Sequence, residues 1–345
     1  EDYGHNVKTC YKCNSIIEPQ IKEQWFLKMK PLAEPAIKAI EKNQIKFIPK
    51  HYKKIILHWL KNILDWPLSR QIVWGIPIPG ETDTFDTWFS SGQWPFATLK
   101  TTGKNDLKTF YPTDVMETAG EIIFFWVARM IMLGIYSTGK IPFKYVYLHG
   151  LVLDARGEKM SKSRGNVINP LDITEKYGTD ALRIGLIIGN TPGQSLALDE
   201  NKIKGYRNFA NKIWNASKFV MINTDDYKPT GKIILNSKQK KHLKEFKKTA
   251  GEITKLMDDF KFYYAAEKIY HYFWRIFCDK IIEESKVPLA LKGKEKTAAQ
   301  YVLLKILSDS LKILHPFMPF ITEEIYQQLP VKNKKKSLMV ENWPN

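Results

Sequence analysis

The chain has 345 residues, with 53 lysines and arginines against 36 aspartates and glutamates, for a formal net charge of +17 at pH 7. Its 44% hydrophobic content excludes an intrinsically disordered chain, and its three cysteines exclude a disulfide scaffold. The length corresponds to two or three domains, and the positive surplus points to a polyanion, either nucleic acid or an acidic membrane surface.

The opening residues, Glu1-Asp2-Tyr3-Gly4-His5, hold no initiator methionine and no charged-then-apolar leader, so the sequence reads as one entered midway. Alternation over 24–29 predicts a strand, and Pro31 sits where a proline opens a helix predicted over 31–42. Over 50–64, Ile55, Ile56, Trp59, Leu60 and Ile63 recur at helical spacing. A stretch rich in proline and glycine follows (Pro67, Gly75, Pro77, Pro79, Gly80) and leads into Thr87-Trp88-Phe89-Ser90-Ser91. Residues 121–136 predict a buried helix. This run is shorter than the roughly 18–20 residues of a membrane span, and Arg129 interrupts it. Tyr145-Val146-Tyr147-Leu148 predicts a short strand ending at His149-Gly150, and the strand–loop–helix alternation over 110–190 predicts an α/β unit.

After about residue 200 the pattern changes to long amphipathic helices. Ile253, Leu256, Met257, Phe260 and Tyr264 fall in one run, and Val302, Leu303, Ile306, Leu307 and Ile313 in another, as in a helical bundle. Residues 238–248 hold six lysines among eleven positions, and 332–336 hold four among five.

Two features carry chemistry on their own residues. In Asp154-Ala155-Arg156-Gly157-Glu158-Lys159-Met160-Ser161-Lys162-Ser163-Arg164-Gly165-Asn166, two lysines stand three apart between glycines, after a strand. Glycines let a loop approach a ligand closely, and lysines are compact charges suited to phosphate oxygens. From spacing alone the segment is either a triphosphate-closing loop or an exposed basic loop. Cys10 and Cys13 form a C-x-x-C pair, which is either half of a zinc site or two reduced thiols in a turn, because a closed zinc site takes four ligands. Cys278 stands alone in a helical run and reads as a buried small hydrophobe. His51, His58, His242 and His271 read as surface or core residues. His149 ends a strand at the edge of the predicted sheet, where ligands bind in such folds.

The exact string Lys159-Met160-Ser161-Lys162-Ser163 resembles the second signature of the class I aminoacyl-tRNA synthetases. Its surroundings resemble the large members for branched aliphatic amino acids: Tyr147-Leu148-His149-Gly150-Leu151-Val152 before it, then Gly165-Asn166-Val167-Ile168-Asn169-Pro170 and Lys176-Tyr177-Gly178-Thr179-Asp180-Ala181-Leu182-Arg183 after it. Within that group, Asp86-Thr87-Trp88-Phe89-Ser90-Ser91 with Trp94-Pro95-Phe96, and the run from Ile122 to Met132, look valyl. So does Gly205-Tyr206-Arg207-Asn208-Phe209-Ala210-Asn211-Lys212, while His315-Pro316-Phe317-Met318-Pro319-Phe320 resembles the anticodon-binding bundle of the whole group.

The resemblance implies a fold, a site and partners. The fold is α/β, a partial Rossmann-type catalytic domain followed by an all-α anticodon-binding bundle. Residues 1–45 would be the exit of an editing insertion with the cysteine half-site, 46–204 the second half of the catalytic domain, and 205–345 the helical domain and tail. Lys159, Lys162 and Ser163 would serve catalysis. His149, Gly150 and Leu151, with Lys162, would hold ATP. Trp88, Ile122 and Trp126 would line a valine pocket, and Cys10 and Cys13 would be the zinc ligands. ATP with Mg2+ is implied, Zn2+ only as a half-site, and the partners are valine and tRNA(Val), for a cytoplasmic monomer with no membrane partner.

Two departures stand out. Trp74-Gly75-Ile76-Pro77-Ile78-Pro79 is closer to isoleucyl and leucyl forms and is followed by an unusually short connection to Asp86. Thr118-Ala119-Gly120-Glu121 shifts the family's glycine by one residue and lengthens its carboxylate. No His-x-Gly-His signature occurs in the chain. The expectation is therefore a C-terminal part of a longer synthetase, inactive by itself in adenylate formation. The competing readings are an isoleucyl counterpart and, for the isolated chain, a tRNA-binding module.

Overall fold

A computed structural model describes residues 4, 6–10, 13–18, 20–161, 164–229, 231–331 and 334–344. The chain divides into two compact units, Glu1–Val146 and Tyr147–Asn345.

The first unit runs β1 (Phe26–Leu27), α1 (Lys30–Glu41), β2 (Lys46–Ile48), α2 (Tyr52–Lys61), β3 (Trp66–Pro67), β4 (Ser69–Arg70) and β5 (Thr84–Phe85). Then come α3 (Thr87–Ser91), α4 (Trp94–Thr102), α5 (Asp106–Phe110), β6 (Thr113–Ala119), α6 (Arg129–Thr138) and β7 (Phe143–His149), the last crossing the boundary into the second unit. Strand β7 is the middle of a three-stranded sheet in the order β2-β7-β6. Two antiparallel pairs, β1 with β3 and β4 with β5, join residues far apart in sequence. Helix α1 has the proline start that its sequence predicts and buries Ala33, Ala36, Ala39 and Ile40 on one face. The expected strand at 24–29 is only two residues long.

The helix predicted over 121–136 differs in form from the expectation. It begins as a 3-10 turn (Gly120–Ile122), widens into a π-turn (Ile123–Ala128) and becomes regular only in α6, which a left-handed Gly139 ends. The whole run, Gly120–Thr138, is 19 residues long with a mean hydropathy of 1.4, enough by length and composition to cross a membrane; half of its apolar window is buried inside the fold. Nothing in sequence periodicity separates an i→i+5 turn from an α-helix, and such turns concentrate at functional sites.

The second unit opens with β8 (Val152–Leu153), α7 (Pro170–Tyr177), α8 (Thr179–Ile187) and β9 (Leu196–Ala197), with β8 and β9 paired in parallel. The helices α9 (Glu200–Asn223), α10 (Ser237–Asp258) and α11 (Phe262–His271) follow. A π-helical stretch (Tyr272–Ile282) joins α11 to α12 (Glu283–Ala290), and α13 (Lys294–Leu314) and α14 (Pro319–Gln328) complete the bundle. Caps set the starts: Asp199 accepts from the Asn201 amide, and Asn236 with Gln239 forms a reciprocal capping box. The run expected from Ile253 through Phe277 is broken at Phe260, whose φ of 59° ends α10. The turn sets the Phe260 ring 5.8 Å from Phe262 and 6.2 Å from Tyr147.

Helix α13 is central, and Phe209, Phe273, Phe277, Ile306, Leu307 and Leu311 are wholly buried around it. Cys278 lies in this core, where burial pushes its thiol up to about 12. One polar tie crosses the apolar packing. The buried Asp180 of α8 accepts hydrogen bonds from the Ile321 amide (2.7 Å) and the Phe320 amide (3.3 Å) at the start of α14. Burial raises the Asp180 pKa, against the lowering effect of those two amides.

Phe277→Ala should cost about 3–5 kcal/mol and lower the thermal midpoint of the chain by roughly 10 °C. A shift below about 2 °C in calorimetry would contradict this placement of the core.

Candidate functional site

In the first unit one buried carboxylate, Asp86, sets the start of the short helix that carries Trp88. Asp86 is the N-cap of α3 and is buried. Its Oδ1 accepts the Trp88 amide (3.1 Å), and its Oδ2 accepts the Trp66 indole N–H (2.8 Å) and an Arg70 guanidinium N–H (2.7 Å). The carboxylate therefore fixes where Trp88 leaves the chain. The Trp88 ring stacks on Phe125 with centroids 5.8 Å apart, and the Trp126 indole donates to the Ser91 carbonyl at 3.0 Å. So α3 and the π-turn are joined by two contacts, one through Trp88 and one through Trp126. Ile122 ends the 3-10 turn four residues before Trp126, half-buried like both tryptophans.

Arg129 closes the arrangement from below. Its guanidinium lies 3.7 Å from the Trp66 ring centroid and donates to the Phe125 carbonyl at 3.2 Å. Burial lowers its pKa to about 10, offset in part by the nearby Asp86. The displaced glycine is explained by contact: a Cβ at Gly120 would collide with the Tyr52 hydroxyl and ring. The short connection after Pro79 is a hairpin tip, with the Ile78 amide bonded to the Asp83 carbonyl at 2.9 Å and Gly80 at φ 81°.

In the second unit the turn after β7 is fixed by backbone approach. A Cβ at Gly150 would overlap the Gln194 carbonyl, so only glycine fits. The Leu151 amide donates to the Ser195 hydroxyl (3.1 Å), and the Leu196 amide to the Leu151 carbonyl (2.9 Å). The His149 Nδ1 lies 2.6 Å from the Gly150 carbonyl oxygen, which places a proton on Nδ1.

The lysine loop is held by a second buried carboxylate, Asp154. Its Oδ1 accepts the Arg156 and Glu158 amides (3.0 and 2.8 Å), and its Oδ2 accepts the Asn166 side-chain amide (2.9 Å). The Asn166 carbonyl in turn accepts the Ser161 amide at 2.9 Å. The two ends of the loop are thus clipped together across twelve residues. Met160 packs into a small core with Ile173, Leu182 and Ile203, and its sulfur accepts the Ile168 amide at 3.5 Å. Met160 points inward, while the adjacent Lys159 is exposed. Lys162 and Ser163 lie outside the described residues.

The Asn166 amide, more than any other group, holds the Asp154 carboxyl below its ordinary range. A depressed folded-state pKa stabilises the loop fully above the unfolded carboxylate value of about 4. That stabilisation is lost as pH falls through the folded value.

The cysteine pair sits in a tight turn. The Cys10 amide donates to the Ser15 carbonyl and the Asn14 amide to the Cys10 carbonyl, both at 2.8 Å, with Asn14 left-handed at φ 58°. Cys13 is exposed, and its hydrogen bonds, chiefly with Ser15, lower its thiol pKa. Among the described residues no cluster of three or more histidines, cysteines or carboxylates could hold a metal ion, so two thiols do not fit a closed zinc site here.

Sequence reading missed the structural work of Asp86, Trp66, Arg70, Arg129, Asp154 and Asn166. A usable signal existed for one of them: aspartate directly before a short helix is a cap signature. The partners of Asp86 lie 16 and 20 residues away and carry no such signal.

The chain matches the family profile "tRNA synthetases class I (I, L, M and V)" over residues 6–81 and 80–199, the break falling at the hairpin tip. It matches "Anticodon-binding domain of tRNA ligase" over 239–345. It is 44% identical to a valine--tRNA ligase of Pseudothermotoga lettingae over 374 aligned positions. It is 44% identical to that of Thermotoga maritima and 42% identical to that of Carboxydothermus hydrogenoformans. In each case all of the chain is covered, and it spans 43% of the relative's length. Among solved structures, a Mycobacterium tuberculosis methionyl-tRNA synthetase with methionyl-adenylate superposes with a TM-score of 0.75 at 18% identity, covering 94% of this chain and 67% of that one. An Agrobacterium radiobacter LeuRS complex gives 0.67 at 17% identity, covering 85% and 46%. At those identities the likeness concerns the fold.

Asn166→Ala should free the Ser161 amide, with hydrogen exchange at that site faster by about tenfold or more and global unfolding little changed. Unchanged protection at Ser161 would show that the clip does not hold the loop.

Proposed function

We propose a function from one premise: the chain belongs to the class I tRNA synthetase family. It supplies the second-signature half of the catalytic domain and the anticodon-binding bundle of a valine--tRNA ligase. The observation that carries this is the 42–44% identity of the whole chain to ligases of that name. In the reaction so proposed, the valine carboxylate attacks the α-phosphorus of ATP and pyrophosphate leaves. A hydroxyl of the terminal adenosine of tRNA(Val) then takes the acyl group from the adenylate, and AMP leaves.

The residue roles follow the same reading. Trp88, Ile122 and Trp126 wall the valine side chain, with Trp88 fixed through Asp86. His149, Gly150 and Leu151 meet the adenosine part of ATP, where Gly150 keeps the backbone close. Lys162, with Lys159 beside it, stabilises charge that develops on the departing pyrophosphate, and Ser163 shapes the loop. The Asp154–Asn166 clip and the inward Met160 support this, because they order the described residues on either side of positions 162 and 163. Magnesium would accompany the ATP phosphates. No step uses zinc. We place the reaction in the cytoplasm, by a monomer without a membrane partner.

One feature favours a second reading. The Trp74–Pro79 string is nearer to the isoleucyl form, so isoleucine is the rival amino acid. For the 345 residues alone, the bundle favours RNA binding without adenylate formation.

In a protein of the relatives' full length that carries this chain, Lys162→Ala should slow ATP–pyrophosphate exchange by about 100-fold or more while valine binding changes little. Equal loss in both would remove Lys162 from the transition state.

A further inference from the structure

Helix α10 carries a stripe of lysines that its own fold does not pair. Its 22 residues bury His242, Phe246, Ala250 and Ile253 against the bundle. Turning about 100° per residue, Lys240, Lys244, Lys247, Lys248 and Lys255 fall within one solvent-facing sector of roughly a quarter turn. All five are exposed. Of the acidic residues of the helix, Glu245 and Glu252 stand off that sector, and Asp258 enters it only at the last residue, beyond Lys255. Lys241 pairs with Glu245 (3.8 Å) and Lys238 with Glu284 (3.1 Å), while Glu252 pairs with Lys268 (2.7 Å). For the five stripe lysines no ion pair is recorded among the described residues.

A second observation falls in the same sector. Gly251 is exposed in the middle of the helix, and a Cβ there would meet nothing within 4 Å. A mid-helix glycine is destabilising relative to alanine, and here no packing, cap or left-handed φ requires it. It leaves a gap in a row of lysines where another molecule's backbone can come close.

We infer that this face of α10 is a contact surface for the phosphate backbone of RNA, with Gly251 as its point of closest approach. The stripe runs about 22 Å along the helix, long enough to meet several successive phosphates of one strand. Point charges on flexible stems fit sequence-independent backbone contact rather than base reading. The inference rests on the tRNA reading above and adds to it a surface and a mode of contact.

The test uses the 345-residue chain and a tRNA(Val) transcript, with affinity measured from 50 to 300 mM KCl. Replacing Lys240, Lys244, Lys247 and Lys248 by Gln should make the slope of log K against log salt shallower by about 3. The same change at Lys42, Lys100, Lys104 and Lys108, exposed in the first unit, should alter it by less than about 1. Gly251→Gln should raise the thermal midpoint and still weaken tRNA binding several-fold, a split that a merely structural glycine would not give. Equal slope changes in the two quadruple variants, or unchanged affinity for Gly251→Gln, would overturn the surface while leaving tRNA binding in place. Failure of the unaltered chain to bind tRNA would contradict the tRNA reading itself and the surface with it. If the stripe variant instead loses only binding to phosphatidylglycerol vesicles, the partner is a membrane and the inference is wrong.

Discussion

A buried carboxylate that collects several N–H donors is the device on which the functional segments depend. Backbone amides removed from water must find acceptors, and one ionised aspartate offers up to four sites. Asp86 gathers an amide, an indole and a guanidinium, and so sets the exit of Trp88. Asp154 gathers two amides and the Asn166 side chain, and so closes the lysine loop. Asp180 gathers the first amides of α14, and so ties α8 to the bundle. In each case the chain is irregular at the point of attachment. The carboxylate supplies the order that a helix or sheet ladder would supply elsewhere.

This explains which parts were legible in the sequence. Helices with one apolar face, such as α1 and α13, follow from the spacing of Ala36 and Ile40 or of Leu303, Ile306 and Leu307. The lysine loop was legible as a string, since its chemistry is written in consecutive residues. Its support was not, because the Asp154–Asn166 bond spans twelve residues of changing direction. The pocket run was legible as apolar but not as a 3-10 turn followed by a π-turn, since both share their composition with an α-helix. The break at Phe260 was invisible for a related reason: a bulky residue in a left-handed turn is held there by aromatic packing made only in the fold.

The surplus of positive charge has a distribution. Much of α10's share is gathered on one solvent-facing sector, whereas Glu245 and Glu252 are consumed in pairs beside it. The first unit follows a different logic. Its one deeply buried guanidinium, Arg129, is committed to Trp66 and the Phe125 carbonyl, where it braces the wall that carries Trp126. In the valine pocket proposed above, a wall so braced would resist widening. That resistance matters because a hydrophobic pocket excludes a larger aliphatic side chain by shape, while one methylene changes affinity only modestly.

The central claim is that this wall selects valine. The most direct measurement is ATP–pyrophosphate exchange, with valine and isoleucine compared by kcat/KM, in a protein of the relatives' full length that carries this chain. The account predicts that valine is favoured by about 100-fold or more, the upper range for discrimination by one methylene group. Exchange supported equally by isoleucine, or better, would contradict it.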